Sequence, residues 1–266
     1  MRLPGEIRNY IYELALGGRF FHMMFGPRDR QIHSDRAFLH YHPCVRVKPV
    51  QESYEAFRNA ISEEADFLPF KTRHIACCPS SSYCGECCNT KSAALDYKTQ
   101  IQLLRVCRQI YAEASLIPYT ANIFSLSPEC DIEFLNRLRK PQLEAIQNLH
   151  LRVRSNHIGP QVLANHNIVK RMTGVRNLYI DIDLVQNETV TSMPLSPASL
   201  RVCLGKLDEL PLQTAQVVIC GLTFLRDNLD KTMQRKQDVA AKLERMLLRK
   251  SETDGDHDDE SSSVDK

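Results

Sequence analysis

The chain has 266 residues, 43% of them hydrophobic, with 34 basic and 32 acidic side chains, a formal net charge of +2 and no tryptophan. That is enough apolar material for one large core or two small ones, and no stretch approaches the length of apolar sequence that a membrane-spanning helix needs. The near-neutral total hides an asymmetry: residues 251–266 hold seven acids and one lysine, so the tail carries −6 and the body +8, with basic residues too scattered for nucleic acid to be an expected partner.

The N-terminus, "MRLPGEIRNYIYELAL", places Glu6 and Glu13 where a secretion signal would be apolar. The expected setting is therefore intracellular, cytoplasmic or nuclear, with reduced thiols and no membrane partner. Leu3, Ile7, Tyr10, Ile11 and Leu14 recur at helical spacing, so residues 3–16 read as a helix, with Gly17-Gly18 as its stop. "RFFHMMF" then reads as a strand and "AFLHYHPCVRV" as its partner across the turn-rich "GPRDRQIHSD". "SYEAFRNAISEEADFL" is helical in pattern.

Residues 74–88, "HIACCPSSSYCGECC", hold one histidine and five of the ten cysteines. Zinc takes four thiolate or imidazole ligands in a tetrahedron, often supplied as pairs two residues apart. His74 and Cys77 form one such pair and Cys84 and Cys87 another, so zinc is the one metal the sequence suggests. The alternative is a Cys-rich insertion, spanning 74–90, with free thiols.

Next, "KTQIQLLRVCRQIYAEASLIPY" is the clearest helix in the sequence, with Leu103, Cys107, Ile110, Ala114 and Ile117 on one apolar stripe. On that stripe Cys107 reads as a small core residue rather than a nucleophile. "NIFSLS" is a strand and "DIEFLNRLR" a short helix. A loose repeat follows: residues 146–154, 175–184 and 215–224 are strands, joined by helical stretches at about 160–173 and 197–210. The first two share the pattern N-L-x-[LI]-x-[VI], and the spacing is loosely that of leucine-rich repeats. Strand, helix, strand is the crossover unit of α/β folds. Asp181 and Asp183 share one face of their strand, as metal-binding carboxylates can, although such pairs more often form the polar face of a half-buried strand. Finally, "RDNLDKTMQRKQDVAAKLERMLLRK" is a long charged helix whose narrow seam of Leu229, Met233, Ala240, Leu243 and Leu247 suits packing on the parent domain. The tail beyond residue 250 lacks the apolar content to order itself.

Two stretches carry a resemblance. "LPGEIRNYIYELAL" and "LLRVCRQIYAEASLIPYTANIF" resemble the paired signature, LPxEIRxxIYxxAL then LLxVCRQIYxEAxxxxYxxNxF, of a large, mostly fungal family of domains of uncharacterised function. The likeness extends over residues 3 to about 184. It implies an α/β or α+β domain and no known catalytic residues. The signature positions Leu3, Glu6, Ile7, Arg8, Tyr12, Cys107, Arg108, Tyr111 and Glu113 read as structural. Arg8 or Arg108 can pair with Glu113 or Glu6 across packed helices, the tyrosines fill the space between them, and Arg108→Ala is expected to destabilise the fold. The opening helix also resembles that of an F-box. That likeness implies an alternative, a substrate receptor of a ubiquitin ligase that would meet a cullin adaptor through Leu3 and Ile7.

The sequence contains no Gly-rich phosphate loop, no GxSxG and no HExxH. The expectation is thus one α/β domain, residues 1–250, a mixed sheet with strand–helix–strand crossovers and helices packed on it, followed by a disordered acidic tail at 251–266. Its expected function is a non-enzymatic protein-interaction or scaffold module for an unidentified protein partner. The alternatives are the F-box-like receptor and a zinc-stabilised regulatory protein.

Overall fold

Period-two alternation of apolar side chains builds a single sheet. The computed structural model describes residues 3–25, 39–43, 50–59, 101–126, 131–154, 166–183, 204–220 and 229–248. The described helices are α1 (Gly5–Leu16), α2 (Val50–Arg58), α3 (Arg108–Ala114), α4 (Ile117–Thr120), α5 (Asp131–Arg137), α6 (Lys140–Ala145), α7 (His166–Val169) and α8 (Leu229–Leu248). The strands are β1 (Phe20–Phe25), β2 (Leu39–Pro43), β3 (Ile123–Leu126), β4 (Asn148–Arg154), β5 (Asn177–Asp183) and β6 (Thr214–Cys220), in the spatial order β2-β1-β3-β4-β5-β6.

Five of these strands, β1 and β3 to β6, run parallel. The α/β class is as expected, but the mixed sheet is not: the antiparallel pairing is confined to edge strand β2, which forms a hairpin with β1. The parallel strands lie in chain order, and successive right-handed crossovers in one direction fall on one side of a sheet. The segments described between β3 and β6 all cover one face. Leu149, Leu151, Leu178, Ile180, Val217 and Ile219 point into a core closed by Leu135 of α5, Leu143 of α6, Ile168 of α7 and Leu207 of a short turn at 207–209. The second face carries Tyr54 and Phe57 of α2 and Met233 of α8, packed on Phe20 and Val218.

The repeated N-L-x-[LI]-x-[VI] pattern has a structural cause. Asn148 and Asn177 open β4 and β5 in register with Thr214 of β6. Asn177 Nδ2 donates to Asn148 Oδ1 (2.7 Å) and Thr214 Oγ1 donates to Asn177 Oδ1 (2.8 Å). Asn148 Nδ2 continues the ladder to Thr120 O at 3.2 Å. Just ahead of β3, the buried Asn122 donates to Leu16 O (2.6 Å) and Pro118 O (2.8 Å) and accepts from the Arg19 N–H (2.8 Å). One side chain therefore satisfies groups at the ends of two helices, which would otherwise be left unpaired.

The long helix expected over residues 98–119 is interrupted. Cys107 adopts extended backbone (φ −156, ψ 163) and caps α3, its Sγ accepting from the Ile110 N–H at 3.5 Å. Cys107 is exposed, so it is not the core residue its spacing suggested. A thiol sulfur is a weak acceptor, but an N-terminal orphan N–H needs one. Pro118 starts α4 instead of ending α3, consistent with the tolerance of proline for a first turn. The end of α1 is as expected: the Gly17 N–H returns to Glu13 O (2.8 Å), and Gly18 takes the positive φ of 72°.

Candidate functional site

Two helices from distant parts of the chain meet at one carboxylate. Arg8 Nε donates to Glu113 Oε2 and Arg8 Nη2 to Glu113 Oε1, both at 3.0 Å, a two-pronged pair that suits the planar guanidinium. Tyr12 OH donates to Glu113 Oε2 and Gln109 Nε2 to Oε1, again at 3.0 Å. Four donors on one carboxylate hold its pKa down, from the usual 4.5 to about 2, the Arg8 hydrogen bonds contributing most and Gln109 next. Tyr12 is pushed the other way, by burial and then by its bond to Glu113.

Of the pairings left open by the sequence, the structure forms Arg8–Glu113. Arg108 is exposed at the first turn of α3, and Glu6 is exposed on α1. Arg108, whose replacement was expected to destabilise the fold, is exposed, whereas Arg8 lies on the face of α1 that packs on α3. The tyrosines divide in the same way: Tyr12 is buried, while Tyr111 is exposed.

This packing has a consequence for the opposite face of α1. The buried stripe is Tyr12 and Leu16, with Arg8 and Ala15 half-buried, packed on Ala114, Leu103, Ile110 and Ile117. The more apolar stripe faces out. Leu3, Ile7, Tyr10, Ile11 and Leu14 are 42% to 64% exposed. Together with Ile101, Val106, Tyr111 and Leu116 they account for every exposed large hydrophobic among the described residues. The signature residues Leu3 and Ile7 are therefore available at the surface. α1 runs through Gly17-Gly18 directly into β1, so the described residues after it do not form the second and third helices of an F-box.

A second constellation, which sequence reasoning missed, lies on the α2 side of the sheet. Ser125 Oγ is 2.8 Å from His150 Nδ1, His150 Nε2 is 3.0 Å from Asp181 Oδ2, and Tyr54 OH donates to Asp181 Oδ1 at 2.7 Å. Three neighbouring parallel strands supply the serine, histidine and aspartate. Their types match a hydrolytic triad, but their arrangement does not serve one. The serine sits on Nδ1 and the aspartate at Nε2, the reverse of the usual order. The His150–Asp181 contact is close without being an aligned hydrogen bond. Ser125, His150 and Asp181 are 7%, 1% and 5% exposed. The network fastens Tyr54, and with it α2, to the sheet. Only strand register could have disclosed it, since the residues lie 25 and 31 positions apart in sequence.

Asp181 thus belongs to this buried network and not to an exposed carboxylate pair; the side chains of Asp183 and Leu229 are not described, and His74, Cys77, Cys84 and Cys87 lie outside the described residues altogether. Among the described residues no group of three or more His, Cys, Asp or Glu is placed to hold a metal ion. No described helix is long and apolar enough to cross a membrane. No curated protein and no solved structure matches the chain. A family model does match, over residues 1–196, and so includes both helices that meet at Glu113. The chain belongs to the family described as a domain of unknown function, DUF7730.

Proposed function

We propose that the protein is a non-enzymatic interaction module that inserts the outer face of α1 into an apolar groove of a protein partner. The observation that carries this reading is the segregation of exposed apolar side chains: all nine large ones among the described residues fall within residues 3–14 or 101–116. Exposed apolar clusters of this kind mark interaction sites. Leu3, Ile7, Tyr10, Ile11 and Leu14 follow the i, i+3, i+4, i+7 spacing of helices that bind in grooves. The Arg8–Glu113 pair supports the same reading, since it holds α1 by its polar face and leaves the apolar one outward.

The test compares proximity labelling in cells by the full chain and by an Ile7→Glu/Leu14→Glu variant, with Tyr10→Lys as a second, milder change. The substituted positions are exposed, so the melting temperature should hold while a reproducible set of neighbours disappears. A cullin adaptor within that set would establish the ligase-receptor form of the reading. An identical neighbour set for wild type and both variants would overturn the interaction surface.

A further inference from the structure

The two segments that hold every exposed large hydrophobic among the described residues also divide the charge around them. Residues 3–14 carry Glu6, Arg8 and Glu13, and residues 101–116 carry Arg105, Arg108 and Glu113. Arg8 and Glu113 are bonded to each other. That leaves two acids on α1 and two arginines on the 101–116 segment, all four exposed. Although the two segments pack together, none of the four makes an ion pair or a side-chain hydrogen bond among the described residues.

Each half of this surface therefore presents apolar side chains with one sign of charge. Tyr10 is 62% exposed on the acidic half and Tyr111 53% on the basic half, and tyrosine is enriched where proteins meet. A partner of one charge sign would face its like on one of the halves, which opposes binding. A second copy turned about a two-fold axis would not: each acidic half lies on the other's basic half, and the contact is made twice. The chain also carries an apolar groove. A half-open hollow of about 170 Å³ is lined by Ile101, one of the nine exposed hydrophobics, together with Leu16, Phe21, Phe124 and Phe134.

We infer, resting on α1 as an interaction surface, that its partner is a second copy of this chain. In this two-fold dimer Glu6 and Glu13 of each copy face Arg105 and Arg108 of the other, and the outer stripe of α1 lies over the apolar groove.

The test is sedimentation equilibrium of the full chain under reducing conditions, from about 1 to about 100 μM, the range that decides a micromolar dimer. The wild type should dimerise, and Ile7→Glu/Leu14→Glu should leave it monomeric. Arg105→Glu/Arg108→Glu and Glu6→Arg/Glu13→Arg should each weaken the dimer roughly tenfold or more. An equimolar mixture of these two reversed chains should associate again, because unlike chains restore both contacts. Circular dichroism establishes that each variant is folded; should a double reversal not fold, Arg105→Glu and Glu13→Lys are mixed in its place. A wild type that stays monomeric throughout the range, or a mixture no more associated than either reversed chain alone, would overturn the second copy as partner, and the proximity-labelling comparison would then decide whether α1 meets a different protein. A dimer untouched by Ile7→Glu/Leu14→Glu forms elsewhere and equally sinks the proposal.

Discussion

Glu113 is the residue on which the contact between the two signature helices turns. Its carboxyl titrates at about 2 in the folded chain against 4.5 ordinarily, so the ionised form stabilises the fold. That stabilisation is complete above about pH 4.5 and is lost as the pH falls toward 2. Urea unfolding followed across this range should show the wild type losing stability more steeply than Glu113→Gln. A half-buried pair also leaves its survivor poorly solvated when one partner is removed. Arg8→Met/Glu113→Leu should therefore be less destabilised than the two single variants added together, and a double-mutant cycle with no coupling would contradict the pairing. Both residues stand out in the sequence as charges beside an apolar stripe. Which arginine meets Glu113 did not stand out, because Arg8 and Arg108 occupy similar local patterns and only the packing angle of α1 on α3 separates them.

Among the elements, the parallel strands were legible from their alternation and from the asparagine that opens β4 and β5. The ladder those asparagines form explains the repeat without a solenoid. Asn177 is its centre, an acceptor for Thr214 and a donor to Asn148. Asn177→Ala leaves Asn148 Oδ1 and the Thr214 hydroxyl without these bonds and should cost about 1–2 kcal/mol in urea unfolding, while a neutral result would show that water replaces the ladder freely. The helix over residues 98–119 was less legible. Its periodicity is continuous, but periodicity does not register that Cys107 leaves helical backbone to cap α3. In α1 the pattern identified the helix but not which of its sides is buried. A stripe of Leu, Ile and Tyr normally turns inward, and here it is displaced by Arg8, Tyr12 and Leu16, which have Glu113 and Ala114 to meet.

For the molecule as a whole, the matched family region ends at residue 196, yet the sheet does not. β6 completes the parallel series and α8 closes its edge. Glu244 accepts the Val217 N–H (2.8 Å) and pairs with Arg58 of α2 (2.8 Å), while Val239, Ala240, Leu243 and Leu247 are buried in the main core. Gln237 Nε2 also donates to Phe57 O at 3.0 Å, so α8 holds the end of α2 as well. A sheet edge left open invites pairing with other chains. A chain ending at residue 228 should therefore aggregate or lose its cooperative thermal transition, checked by size-exclusion chromatography and circular dichroism. A soluble monomer with the full-length melting temperature would show that α8 is dispensable.

Local chemistry was enough for the sequence alone to specify helix-forming stripes, glycine stops, alternating strands and the α/β class, since each depends on residues a few positions apart. Tertiary structure decided what depends on distant residues: that the five main strands run parallel, that α1 buries its polar-edged side and exposes its apolar one, and that Ser125, His150 and Asp181 meet under Tyr54. The physical reason is the same in each case. A side chain's burial is set by the partners available across the whole fold: Arg8 meets Glu113, 105 positions away, and Tyr12 and Leu16 pack on Ala114.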